Sequence, residues 1–526
     1  MIPMKLLATG IVLVVVTASL YSSSRMTMTV QMTYKDYNTL SSQTQSDSTA
    51  ETTTTTTKDR QTMQQDFTGR RDLKDMNIVL FYADDWTWRS VGAVNKHVHT
   101  PHMDEMARNG MLFRHNCVTT SICWQSRATL ATGLYVAVHQ HVKIGSQTMF
   151  DETVQWKDTL FPQLKQHGYH VGYVGKWHAP MPKTHREQTF DVFKNYYGSH
   201  WMWRNEELRH VTDCNQEDAL LYLRSERPKN QKFALTVSFF ATHAWDGKRY
   251  PDQYQPQPHT AYLYDNFTDI PVPKTATEQH WKDMPYFFNE RNEARGRWRE
   301  RYATPEQYQV SMKRYYRMAK EVDDVIGAVV DELKLQGLYN NTLLIFTTDN
   351  GNFHGEHGLA GKWYPHDESV RVPLIIQDPR MPMAMRGTVN DDFTLNIDLA
   401  PTILSAANIP VPSHMQGRDM ADLYFNPSKA NWRNDFFYEW TQGSPVDAVG
   451  HNDPNHIPAV FALIRKDYKY FYWPQLKYEQ VFHIENDPYE EYDIFNSTAQ
   501  SEPKMLEELK ARYHYLKNRS QAGYPV

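Results

Sequence analysis

The sequence predicts an α/β protein with a large, mostly parallel sheet flanked by helices and a smaller C-terminal antiparallel α+β subdomain. Continuous apolar runs at residues 77–83, 169–174, 233–241 and 343–348 read as strands buried on both faces, since a half-solvated strand would alternate polar and apolar residues. Helical patterns separate these runs, and strand–helix–strand order implies right-handed crossovers within one parallel sheet. Towards the end, short runs at 461–464, 468–472 and 481–484 alternate with turns and precede a helix expected over 503–518, as in a compact antiparallel unit.

At the N-terminus, Lys5 precedes an apolar run over residues 6–20. That is short for a bilayer span, which needs roughly 20 residues, and suits a signal peptide or short signal anchor over residues 1–25. Either sends the chain into the secretory pathway, to an extracellular, lysosomal or Golgi-anchored destination. Membrane contact is expected only if the segment stays uncleaved. Residues 26–74, with a threonine run at 52–57, read as a disordered Ser/Thr-rich stalk or linker, because so few apolar residues cannot offset ordering entropy. A catalytic domain over 75–417 and a C-terminal subdomain over 418–526 follow. Sequons at Asn266, Asn340, Asn496 and Asn518 agree with a secreted glycoprotein.

The 526 residues carry a formal net charge of −5 and none of the nucleic-acid-binding motifs, so no nucleic-acid partner is expected. The three cysteines, Cys117, Cys123 and Cys214, are too few for a disulfide framework. A Cys117–Cys214 pair and two buried free thiols both fit. Cys123 is then either an inert buried thiol or a residue with chemistry.

Each long apolar run ends in polar residues. Asp84-Asp85 follows the first, Gly175-Lys176-Trp177-His178 the second, Thr242-His243 the third and Asp349-Asn350-Gly351 the fourth. Each alone is ordinary turn chemistry. In a parallel sheet, however, all four fall on the rim where ligands bind. Cys123 and Arg127, four residues apart in a short helix closed by Gly133, share one face. The helix N-terminus and Arg127 would both favour an anion there.

A long helix opens at Thr304-Pro305-Glu306-Gln307, a capping box with proline in the first turn. It runs through Tyr315, Met318, Val322, Val325, Ile326 and Val329 at helical spacing and stops near Gly337. Before it, residues 245–302 interrupt the sheet pattern as an insertion. Its arginines 291, 295, 297, 299 and 301 form either a solvated charged face or a cleft wall for an anionic polysaccharide.

Cys123-Trp124-Gln125-Ser126-Arg127 resembles the Cys-x-Pro-x-Arg signature of the sulfatase family, with Gln125 where that family has proline. Asp84-Asp85 is similar to the family's paired aspartates. Thr100-Pro101-His102-Met103-Asp104 resembles its Thr-Pro-Asn-Leu-Asp element, and Gly175-Lys176-Trp177-His178 its Gly-Lys-Trp-His motif. Asp349-Asn350-Gly351, Gly355-Glu356-His357-Gly358, Gly361-Lys362-Trp363 and the segment from Glu368 to Leu374 resemble its late block.

The resemblance implies an alkaline-phosphatase-like fold and a sulfuric ester hydrolase. It implies Ca²⁺ held by Asp84, Asp85, Asp349, Asn350 and the nucleophile at position 123. Hard oxygen donors suit Ca²⁺ better than Zn²⁺. It further implies that a formylglycine-generating enzyme converts Cys123 to formylglycine, whose hydrated aldehyde attacks sulfur and then expels sulfate. Arg127, Lys176 and Lys362 would neutralise the sulfate oxygens, His178 would orient or deprotonate the nucleophile, and His243 would protonate the leaving alcohol. A sulfated carbohydrate is the expected substrate. The alternatives are a phosphomonoester or phosphonate hydrolase on the same fold, and a non-catalytic sulfated-glycan binder if Gln125 prevents maturation of Cys123.

Overall fold

The first strand, β1 (Asn77–Ala83), sits inside the main sheet, and its side chains divide between two cores. Val79, Phe81 and Ala83 enter one, and Ile78, Leu80 and Tyr82 the other. A strand buried on both faces has no polar side to give, hence its uninterrupted apolar sequence. The computed structural model describes residues 76–525 apart from 141–149, 152, 180, 267–268, 429 and 442–455. The expected leader and stalk lie outside the described residues.

After β1 come β2 (Met111–Cys117), β3 (His170–Gly175), β4 (Val192–Lys194) and a hairpin of β5 (Trp201–Arg204) and β6 (Glu207–His210). Next are β7 (Phe233–Ser238), β8 (Thr342–Thr348), the short hairpin β9 (Phe353–His354) and β10 (Ala360–Gly361), then β11 (Leu374–Gln377) and β12 (Thr388–Leu395). The main sheet has the order β12-β2-β11-β8-β1-β7-β3-β4. Every neighbouring pair is parallel except those made by β11. The large, mostly parallel sheet expected from the sequence is therefore present.

Helices cover both faces. The long helix is one, Pro305–Leu335, and its capping box closes with Gln307 N donating to Thr304 Oγ1 and Thr304 N to Gln307 Oε1, both at 3.1 Å. Tyr315, Met318, Val322, Val325, Ile326 and Val329 pack into one core. Leu399, Ile403 and Leu404 from the helix Leu399–Ala406 pack into the other. Each such fully buried aliphatic side chain contributes about 1.5–3 kcal/mol.

A separate antiparallel sheet follows, with β13 (Asp435–Trp440), β14 (Val460–Arg465), β15 (Tyr468–Trp473) and β16 (Tyr478–His483) in sequential order. Tyr513 and Leu516 of the terminal helix, Pro503–Gln521, pack on it. Strand β13 reaches back to the main domain, with Glu439 N donating to Thr119 O at 2.9 Å.

Candidate active site

Parallel pairing brings the predicted strand ends to one rim. In register, Ala83 faces Thr348, Tyr82 faces Ser238, and Ser238 faces Gly175. Asp84-Asp85, Asp349-Asn350, Lys176-Trp177-His178 and His243 therefore emerge side by side. Gly175 makes the tightest of these junctions. It has φ +101°, and a Cβ there would come within 1.7 Å of Ser238 O, so no other residue fits.

Cys123 opens a helix, Cys123–Thr132, that ends at Gly133 in the left-handed conformation, and the whole helix is buried. Two backbone ties place it. Ser121 N donates to Tyr438 Oη at 3.2 Å, and Tyr438 Oη donates to Trp363 O at 2.7 Å, linking the loop before Cys123 to β13. Gln125 is buried and accepts from Thr120 Oγ1 at 3.0 Å.

The cluster is dense in charge. Lys176 Nζ contacts Asp84 Oδ2, and Lys362 Nζ contacts Asp85 Oδ1. Lys362 Nζ also lies 3.9 Å from Cys123 Sγ. Asn350 Nδ2 donates to Asp85 Oδ1 at 2.6 Å. His243 Nε2 stands 3.6 Å from Asp85 Oδ2. Arg127 donates from Nε to Asp349 Oδ2 at 2.8 Å, and from NH1 to Lys176 O at 2.6 Å and Ser238 Oγ at 2.7 Å.

Burial would raise Asp84 and Asp85, but Lys176 and Lys362, each with help from His243, hold them below the usual carboxylate range. Asp349 goes the other way. Burial and then the negative Asp84 push it up to about 7 despite Arg127. Burial also raises the Cys123 thiol, against the pull of Lys176 and Lys362, so the unmodified thiol is a poor nucleophile at neutral pH. His178 is driven far down by burial and then by Lys176, which keeps it neutral.

The donor set fits a hard divalent cation. The ligand atoms of Asp84, Cys123 and Asp349 lie within 4.8 Å of one another, as do those of Asp84, Asp85 and His243. Asp84 Oδ1 and Asn350 Oδ1 are buried and accept no hydrogen bond. Buried oxygens normally have partners, and a cation would supply one here.

A cavity of about 280 Å³ opens onto this cluster. Its walls include Cys123, Lys176, His178, His243, Lys362 and Trp363. Among the described residues, Arg127 does not line it. Asp85, His178 and Trp363 hold φ of 53°, 59° and 85°, a conformation that costs about 1–3 kcal/mol each and persists where surroundings impose it.

Sequence reasoning missed Ser238, which carries no motif, and the cavity residues Tyr197 and Asp246. It left the insertion's arginines as either a solvated face or a cleft wall, and the five arginines divide instead. Arg295 is sandwiched between Trp281 and Trp298, at 4.3 and 3.9 Å from their rings. Arg301 is buried on Asp246 at 2.7 Å. Arg297 lines the cavity, with NH2 3.2 Å from Asp246 Oδ2. Among the described residues, Cys117, Cys123 and Cys214 are free and buried, so the Cys117–Cys214 pair is not formed.

The sulfatase family model matches residues 76–409, and the model of the N-sulphoglucosamine sulphohydrolase C-terminal region matches 355–519. An N-acetylglucosamine-6-O-sulfatase of Bacteroides thetaiotaomicron is 25% identical over 84% of this chain and 88% of its own. A structure solved in complex with its substrate D-glucosamine-2-N,6-O-disulfate superposes with TM-score 0.66, 22% identity, and coverage of 85% of this chain and 98% of that one. A phosphonate monoester hydrolase from Silicibacter pomeroyi has the same fold, at TM-score 0.66 and 19% identity over 84% of this chain and 96% of its own.

Proposed function

The chain belongs to the sulfatase family of sulfuric ester hydrolases, and from that premise we propose that it removes sulfate from a sulfated carbohydrate using a formylglycine formed from Cys123. The observation that carries this reading is the convergence of Cys123, Lys176, Lys362 and the acidic strand ends at the floor of one cavity.

Asp84, Asp85, Asp349, Asn350 and the side chain at 123 would hold Ca²⁺, which supplies positive charge to neutralise a sulfate oxygen. Formylglycine at 123 supplies a hydrated aldehyde, so that one hydroxyl serves attack and the other release. Lys176 and Lys362 face the cavity and add positive charge where the leaving group's electrons move. Neutral His178 lines the cavity with a buried Nδ1 that has no hydrogen-bond partner, and would orient the nucleophile rather than hold its proton. His243, beside Asp85, is placed to deliver a proton to the departing alcohol. Arg127, bonded to Asp349 and the Lys176 backbone, would act by positioning them rather than by contacting substrate.

Support for a carbohydrate comes from the substrates named for the bacterial sulfatase and for the disulfated-glucosamine complex. Arg297 and Asp246 beside Trp245 would meet the sugar. The domain limits 75–417 and 418–526 remain our reading, as does a glycosylated product of the secretory pathway. The asparagines of all four sequons are exposed, which supports the latter.

Turnover of p-nitrophenyl sulfate against p-nitrophenyl phosphate tests the reaction, followed by a panel of sulfated oligosaccharides. Preference for phosphate would move the assignment to phosphoester hydrolysis. Failure to turn over either ester, with an unmodified Cys123 thiol, would leave a glycan-binding protein.

A further inference from the structure

Away from the active site, His102 sits at the start of the helix Pro101–Asn109, against the long helix Pro305–Leu335. Its ring lies over Gly327, where a Cβ would come within 2.6 Å of the imidazole atoms. The glycine leaves the hollow that the ring fills. Facing it are two consecutive carboxylates of the long helix, Asp323 and Asp324, whose ligand atoms and a His102 ring nitrogen all lie within 4.8 Å of one another.

We propose that His102, Asp323 and Asp324 form a second metal site, for a borderline divalent cation of the Zn²⁺ type, that clamps the two helices together. One imidazole with two carboxylates is a mixed nitrogen and oxygen donor set, unlike the oxygen-rich catalytic cluster, and it suits Zn²⁺ better than Ca²⁺. His259 Nε2, on the turn Pro258–Thr260, stands 4.0 Å from Asp324 Oδ2 but outside the three-residue cluster.

The hydrogen bonding of Asp323 supplies the independent sign of a ligand. Its side chain is 0% exposed. Oδ1 accepts from Met103 N at 2.8 Å, which fixes the carboxylate against the first turn of the His102 helix. Oδ2 is equally buried and accepts no hydrogen bond. Lys320 Nζ is 3.7 Å from that oxygen and contacts Asp324 Oδ1. One ammonium faces two carboxylates, and burial pushes Asp323 up to about 7 despite it. A divalent cation balances both, and Lys320, which reaches solvent, can swing away. His102 stands where the sulfatase pattern has asparagine, so this ligand is a feature of this chain.

The test uses the full chain, stripped with chelator and returned to excess Ca²⁺ so that the catalytic cluster is filled. Zn²⁺ titrated by calorimetry is expected to bind once and to raise Tm, because it binds the folded state. Co²⁺ in its place should give the visible absorption of a histidine-ligated ion. His102→Ala should weaken Zn²⁺ binding at least about tenfold and abolish the Co²⁺ band, while its own Tm without Zn²⁺ reports folding. Lys320→Gln should tighten Zn²⁺ binding by about tenfold, since a competing charge is removed. No Zn²⁺ uptake by the wild type, wild-type affinity in His102→Ala, or no tightening in Lys320→Gln would each overturn the site.

Discussion

Arg127 Nε lies 2.8 Å from Asp349 Oδ2, and the guanidinium is spent entirely on protein atoms. It also faces the Tyr82 ring, at 5.0 Å. The arginine of the signature thus builds the floor of the site, while Lys176, Lys362 and Arg297 are cations that face the cavity.

Replacing Arg127 should therefore disturb stability and rate together. Arg127→Ala leaves Asp349 buried without its partner, at a cost of about 3–5 kcal/mol. Arg127→Lys keeps the charge but cannot serve Asp349, Lys176 O and Ser238 at once. Both variants should lower Tm, and kcat on p-nitrophenyl sulfate should fall while KM changes little. A large rise in KM with kcat intact would show that Arg127 binds the sulfate directly.

Metal removal should loosen the same cluster. Chelation leaves Asp84, Asp85 and Asp349 to the lysines and Arg127 alone, so Tm should fall and turnover cease. Ca²⁺ should restore both. Full activity in exhaustively chelated protein would exclude the proposed ion.

Gln125 occupies the third position of its helix, within the first turn, where proline is tolerated. Gln125→Pro gives up the Thr120 hydrogen bond, about 1 kcal/mol, and restores the family signature. It should raise the fraction of chains in which Cys123 is converted, read by mass spectrometry of the peptide spanning it. Full conversion in the wild type would show that Gln125 does not hinder maturation.

What was legible in the sequence follows from where the forces are local. Strand β1 was readable because burial on both faces forbids polar residues along it. The long helix was readable because its capping box and apolar stripe are contiguous in sequence. β11 and β12 were not picked out, since β11 has only four residues and β12 mixes Asn390, Asp391 and Asp392 into its exposed half. At the site, the strand-end motifs announced themselves, but Ser238 and Asp246 owe their places to long-range packing. The arginine run looked uniform along the chain, yet Arg295 and Arg297 meet different tryptophans, at 3.9 Å from Trp298 and 5.0 Å from Trp363.

Arg297 is the cavity arginine on which substrate discrimination should turn. Its partners are Asp246 and Glu293, the latter at 2.8 Å from Nε. Removing it leaves the Lys176, Lys362 and carboxylate cluster in place. Arg297→Ala should therefore retain most turnover of p-nitrophenyl sulfate and lose about tenfold or more in kcat/KM on a sulfated oligosaccharide. Equal losses on both substrates would place Arg297 in the chemistry instead.

Glu439 on β13 should contribute more stability in acid than at neutral pH. Its carboxyl is buried, Oε1 accepts from Ala137 N at 2.9 Å, and Oε2 has no hydrogen-bond partner. Burial pushes it from 4.5 up to about 7, against the backbone hydrogen bonds of Ala137 and Val136. Between these values the folded state holds a proton that the unfolded state has released, so stability falls as pH rises. The contribution is complete below about 4.5 and lost above about 7, and it amounts to about 3 kcal/mol at most. Glu439→Gln keeps an oxygen for Ala137 N and cannot ionise. Its Tm should therefore fall less between pH 5 and 8 than that of the wild type, and parallel Tm profiles for the two proteins would refute the assignment.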